Sequence, residues 1–151
     1  MARNPQQGDI APDFAIEGTH GPFRLSALRG ERVVLLFYPG DNNMICTRQF
    51  CSYRDRVDEF SKLGVRAVGI SPQDIASHEQ FIARHGLPLP LLTDAGHHVS
   101  RLYDVHSKLI GTKRATLVID EQGIVRYRHD NVLSLSYDTV NDLEAALTTL
   151  R

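Results

Sequence analysis

Cys46 and Cys51, five residues apart, are the side chains whose type and spacing best suit covalent chemistry. They follow Phe37-Tyr38-Pro39-Gly40-Asp41-Asn42-Asn43-Met44-Ile45, an apolar run, a proline stop and a short polar loop. A sulfur placed just beyond such a loop enters the first turn of a helix, where unpaired backbone N–H groups and the positive end of the dipole favour an anion. The thiolate is the nucleophilic form of cysteine. With an arginine nearby as well, the Cys46 thiol is expected to titrate below its ordinary range. Oxidation of a thiolate gives a sulfenic acid, which a second thiol can capture as a disulfide; Cys51 is the simplest candidate. On one regular helix the two residues would stand about 7.5 Å apart along the axis and about 140° around it. A disulfide needs Cα atoms within about 7 Å, so the first turns of the helix are expected to unwind on oxidation.

The elements that must hold this segment are legible on either side of it. Arg32 to Tyr38 is a β-branched and apolar run of the kind buried on both faces of a sheet. From about Cys46 to Leu63 the pattern turns helical, with Phe50, Tyr53, Val57, Phe60 and Leu63 on one stripe and Gly64 at the end. Gly8 to Phe14 reads as a turn leading into a short strand, with Phe23-Arg24-Leu25 as a hairpin arm and Ser26 capping a turn that ends at Gly30. A strand over 65–70, a helix over 74–85 closed by Gly86, an extended stretch over 87–92 and a short helix over 99–103 follow. Strands over 115–119 and 124–128 flank the turn Glu121-Gln122-Gly123, and a last helix runs from Asp138 to Leu150. This order predicts an α/β domain over residues 1–151, a central mixed sheet flanked by helices on both faces.

Composition narrows the function. At 151 residues, 42% hydrophobic and 23% charged, the chain is an ordinary globular one, and its net charge of −1 makes no case for nucleic acid or an anionic membrane as partner. No apolar stretch approaches the roughly 18 residues that span a bilayer, and Met1 to Asp9 has no apolar signal core. Cytoplasm is the default location, where thiols are kept reduced and two cysteines point to chemistry rather than scaffolding.

The segment 37–51 resembles the active-site motif of the peroxiredoxins, in particular the bacterioferritin comigratory protein or peroxiredoxin Q subfamily, whose signature runs Phe-Tyr-Pro-x-Asp-x-Thr-Pro-x-Cys-Thr-x-Glu-x-Cys. Phe37, Tyr38, Pro39, Asp41, Cys46, Thr47 and Cys51 match in register. The resemblance extends to Gly8–Phe14, Ser71-Pro72, Ser77-His78, Phe81, Leu87–Asp94 and Arg114–Asp120. It implies a thioredoxin-like fold, Cys46 as peroxidatic nucleophile, Cys51 as resolving cysteine, Arg114 holding the thiolate and polarising the peroxide, and Pro39 shielding the pocket from water. It further implies a hydroperoxide substrate, a thioredoxin-like dithiol reductant and no metal or organic cofactor. It leans toward a monomer, with a weak dimer as the alternative. Asn43, Met44 and Gln49 replace the signature's Thr, Pro and Glu. The Asn43 amide can still donate a hydrogen bond but is longer and planar, so a slower peroxidase than a Thr-bearing relative is expected.

Other readings stand beside these. Without the motif, the cysteines would be buried small hydrophobes as readily as reactive ones. A zinc site lacks a second ligand pair, and His97-His98 reads as a solvated loop. Arg114 alone would be a surface charge at a strand start; His78, His85 and His106 read as solvated or helix-terminal; Arg48, Arg54 and Arg56 read as a solvated helix face. The main functional alternative is a peroxide sensor or weakened redox module on the same fold. A general disulfide oxidoreductase is disfavoured by the absence of Cys-x-x-Cys.

Overall fold

A computed structural model describes residues 5–131 and 136–150. In chain order the elements are β1 (Ala15–Gly18), β2 (Gly21–Arg24), a 3-10 turn (Leu25–Leu28), β3 (Val33–Phe37), α1 (Met44–Asp55), α2 (Val57–Lys62), β4 (Arg66–Ser71) and α3 (Ile75–His85). Then come β5 (Leu91–Thr93), a 3-10 turn (Ala95–His97), α4 (His98–Leu102), β6 (His106–Ser107), β7 (Gly111–Thr112), β8 (Ala115–Ile119), β9 (Val125–Asp130) and α5 (Val140–Thr148). Seven strands form one mixed sheet in the order β2-β1-β5-β4-β3-β8-β9, and β6 and β7 form a separate small hairpin.

Strand β3 is the axis of the sheet. It runs parallel to β4 and antiparallel to β8, and all five of its residues are buried. Because successive side chains point to opposite faces, Val34, Leu36 and the following Tyr38 enter one core with Phe50 and Tyr53 of α1, Phe60 of α2, Phe81 of α3 and Leu143 of α5. Val33, Leu35 and Phe37 enter the other, against Phe14, Leu25, Val99 of α4 and Tyr103. Each such fully buried side chain contributes about 1.5–3 kcal/mol. Helices thus cover both faces, and the architecture is α/β and thioredoxin-like.

Three local expectations are corrected. The helix expected from Cys46 to Leu63 is two helices, broken at Arg56 (φ −119°, ψ 42°). Past the break Phe60 stacks on Tyr53 at 5.0 Å, while Val57, which a continuous stripe would bury, is 44% exposed. The first strand begins at Ala15 rather than within Gly8–Phe14; Ile10 makes only an isolated bridge to Ile124. Ser26 does not cap its turn. Its hydroxyl accepts from Arg24 Nε, and its N–H donates to Asp13. Elsewhere the end signals hold. Asp74 accepts from the Ser77 amide at the start of α3, Gly86 closes it at φ 61°, and Thr139 and Asp142 form a reciprocal capping box on α5.

Candidate active site

The site lies where β3 hands the chain to α1, just beyond the carboxyl end of a central strand. Tyr38 N–H still pairs with the Ile70 carbonyl of β4. The chain then leaves the sheet through half-buried Pro39 and buried Gly40. A Cβ on Gly40 would lie 2.8 Å from Gln73 Nε2, so the loop runs close against the Gln73 side chain just before α3, and a larger residue there would require that amide to move. Asn42 takes φ 64°, a conformation asparagine tolerates, and turns the chain into Asn43, the N-cap of α1. The Asn43 side-chain oxygen accepts from Ile45 N–H (2.9 Å) and Cys46 N–H (3.1 Å). Asn43 therefore uses its side-chain carbonyl to close the helix start.

Cys46 is wholly buried in the first turn. Arg114, in the link between β7 and β8, is 1% exposed and is not the surface charge that its position alone suggested. Its Nη2 donates to Cys46 Sγ at 3.1 Å and its Nη1 to Gln49 Oε1. Gln49, noted in the sequence only as a departure from Glu, is itself buried and donates from Nε2 to the Tyr53 hydroxyl (3.0 Å), which in turn donates to the Asp138 carbonyl (2.6 Å). A chain of hydrogen bonds thus fixes the guanidinium against the sulfur. Burial pushes the Cys46 thiol up, against the pull of the Arg114 charge and the Gly40 N–H, and the net direction is upward. This corrects the expectation of a depressed thiol: the helix start is already capped by Asn43, and a sulfur with no exposed surface loses hydration that one guanidinium does not fully replace.

Cys51 is half-buried, two turns along the unbroken α1, and packs on the core beside Phe50. Both thiols are free. Phe50 sits edge-on to Tyr38 (4.8 Å) and Phe81 (6.1 Å), which fastens the middle of α1. Met44 at its start is 68% exposed.

His78 is a further correction. It is fully buried in α3, not solvated, and its Nδ1 lies 2.7 Å from Asp41 Oδ2. His85 ends α3 with its ring on Phe81, while the half-buried His106 ring meets His97 at 4.8 Å. His98 is exposed; among the described residues no three His, Cys, Asp or Glu side chains are grouped to hold a metal ion. Arg48 is exposed as read, but Arg54 donates to the His85 carbonyl and Arg56 to Asn141.

A buried cysteine at a helix start, facing a buried arginine on a thioredoxin-like sheet, defines a thiol-centred redox protein. The AhpC/TSA family profile matches residues 7–128. Peroxiredoxin Q, chloroplastic, of Triticum aestivum is 39% identical over 128 residues, 83% of this chain and 59% of that one; its Arabidopsis thaliana counterpart gives the same figures. The chain thus spans 59% of the length of these plant relatives. Among solved structures, the peroxidoxin BcpB of Mycobacterium tuberculosis superposes with a TM-score of 0.85 at 32% identity, covering 97% of this chain and 99% of that one. Peroxiredoxin Q of Xanthomonas campestris gives 0.78 at 25% identity, with 90% of each chain covered. The chain belongs to the AhpC/TSA family and, within it, to the peroxiredoxin Q or bacterioferritin comigratory protein group.

Proposed function

We propose that this protein is a thiol peroxidase in which Cys46 reduces hydrogen peroxide or an organic hydroperoxide and Cys51 resolves the product. The observation that carries this reading is the 3.1 Å contact between Arg114 Nη2 and Cys46 Sγ. In it, the Cys46 thiolate attacks the terminal peroxide oxygen, the O–O bond breaks, and the departing alkoxide or hydroxide takes a proton to leave as alcohol or water. Cys46 becomes a sulfenic acid. Arg114 stabilises the anion before attack and polarises the peroxide during it. Pro39 screens the sulfur. Cys51 then attacks the Cys46 sulfur, water leaves, and an intramolecular disulfide forms. A thioredoxin-like dithiol returns both thiols by exchange. The reading takes the protein to be a monomer in the cytoplasm and needs no metal or organic cofactor.

Burial pushes the Cys46 thiol up, and only the thiolate attacks peroxide. The peroxide kcat/KM is accordingly expected to climb with pH through the neutral range. The test is NADPH consumption coupled through thioredoxin and its reductase, with hydrogen peroxide and an alkyl hydroperoxide as substrates. Turnover that vanishes in Cys46→Ser supports the enzyme. One round of oxidation with no turnover would make the protein a sensor instead.

A further inference from the structure

Behind the Cys46 loop stands a sealed polar cluster that the proposed chemistry does not use. Asp41, whose side chain is 1% exposed, accepts from the Tyr38 hydroxyl (2.6 Å), the Ser77 hydroxyl (2.7 Å) and His78 Nδ1 (2.7 Å). Its backbone N–H donates to Gln73 Oε1 (3.1 Å), which also accepts from Ser71. His78 Nε2 faces the Leu92 carbonyl of β5 at 3.1 Å. A carbonyl only accepts, so Nε2 must carry a proton. Asp41 is held below the usual carboxylate range: burial alone would raise it, but the hydrogen bonds from His78, Tyr38 and Ser77 prevail. With the Tyr38 and Ser77 hydroxyls also donating to it, Asp41 is the acceptor of the cluster, and Nδ1 donates to it too. The Tyr38 hydroxyl, 3.5 Å from Nδ1, spends its own hydrogen on Asp41.

We propose that His78 is a positioning residue for Cys46, an imidazolium held between Asp41 and Leu92 that pins the 39–43 loop and offsets the Asp41 charge standing near the sulfur. The loop carries Gly40, whose N–H draws the Cys46 thiol down, and Asn43, which caps the helix under it. Asp41 is one of the groups that push the Cys46 thiol up, and Cys46 in turn acts on Tyr38, so the cluster and the sulfur share one field. The titratable groups set against His78 are Asp41 from the loop and Tyr38 from the end of β3. The other contacts are neutral: the Leu92 carbonyl of β5 and, on Asp41, the Ser77 hydroxyl of α3. A neutral histidine would leave a buried carboxylate unpaired beside a group that must become an anion, which is costly in a dry interior.

The inference rests on Cys46 being the reacting thiol, and its test is kept apart from turnover. In a Cys51→Ser background, the rate of Cys46 alkylation by iodoacetamide is followed against pH. His78→Gln is expected to displace the profile upward and cut the rate at pH 7 about tenfold. Adding Asp41→Asn, which removes the uncompensated charge, is expected to bring the profile back toward that of the His78-bearing protein. A purely structural role would make the second change add to the first. An unmoved profile in His78→Gln, or a double variant displaced still further, overturns the proposal. Independently of folding in the variants, ring ¹⁵N shifts of His78 in the unaltered protein are expected to show both nitrogens protonated at pH 7. A neutral tautomer there also overturns it. Should peroxide turnover fail while these shifts appear, the proposed function falls and the positioning role stands.

Discussion

Removing the Asn43 cap probes the coupling of helix to chemistry. Cys46 and Cys51 lie five residues apart on α1, about 7.5 Å along the axis, beyond the reach of a disulfide. Phe50 is fastened in the core, so the least disruptive route frees only the first turn, Met44 to Thr47. That turn is held by the two amides on Asn43 Oδ1 and by the Thr47 hydroxyl donating to the Asn43 carbonyl at 2.9 Å. Asn43→Ala removes the first of these, a loss of about 1 kcal/mol from the closed helix. If unwinding precedes disulfide formation, the closed state weakens and the resolution step quickens about fivefold. The assay is a single turnover with excess peroxide, quenched by alkylation at intervals and read by mass. Asn43→Ala should form disulfide faster and lose less Cys46 to sulfinic acid per cycle. A resolution rate unchanged or slower than that of the unaltered chain refutes the unwinding argument.

Further outcomes follow from the same geometry. Arg114→Ala should slow oxidation of Cys46 by peroxide about 10²–10³-fold, and Arg114→Lys should recover only part of this, since an ammonium cannot fork between Cys46 and Gln49; stopped-flow oxidation rates decide. Gln49→Glu would set a carboxylate against Nη1 of Arg114 and draw its charge away from the sulfur, so the Cys46 alkylation profile should move to higher pH. A downward shift would contradict that electrostatic reading. At the β8–β9 turn, burial favours protonation of Asp120, but the Ile124 and Gln122 amides and Arg126 hold its carboxyl below the usual range. A carboxyl lower in the native than in the unfolded chain stabilises above its unfolded value and loses that contribution as pH falls through the native one. Asp120→Asn should therefore cost about 1–3 kcal/mol at pH 7 and progressively less toward about pH 3, measured by urea unfolding.

The sequence was most readable where one physical signal acted alone. The unbroken apolar run of β3, the Gly86 stop and the strand–proline–loop–helix order around Cys46 each have a local cause, and each lies where it was read. What escaped reading depended on tertiary partners. Nothing local reveals that α1 and α2 part at Arg56 so that Phe60 can stack on Tyr53, because the heptad-like stripe fits one helix equally well. In the sequence His78 reads as solvated or helix-terminal because its partners, Asp41 and Leu92, are 37 and 14 residues away. Gln49 looked like a mere departure from a pattern, whereas its register on α1, three residues after Cys46, brings it to the same guanidinium. The upward push on the Cys46 thiol was likewise hidden, because burial is a property of the assembled core and the helix start is a property of the segment.

The most direct measurement is the intact mass of the reduced chain after one equivalent of hydrogen peroxide, taken before and after alkylation and followed by peptide mapping. The account predicts a monomeric species two hydrogens lighter than the reduced protein, closed to alkylation, with Cys46 joined to Cys51 inside one chain. A chain that gains oxygen at Cys46 without linking, pairs only with a second copy, or still takes two alkyl groups contradicts it.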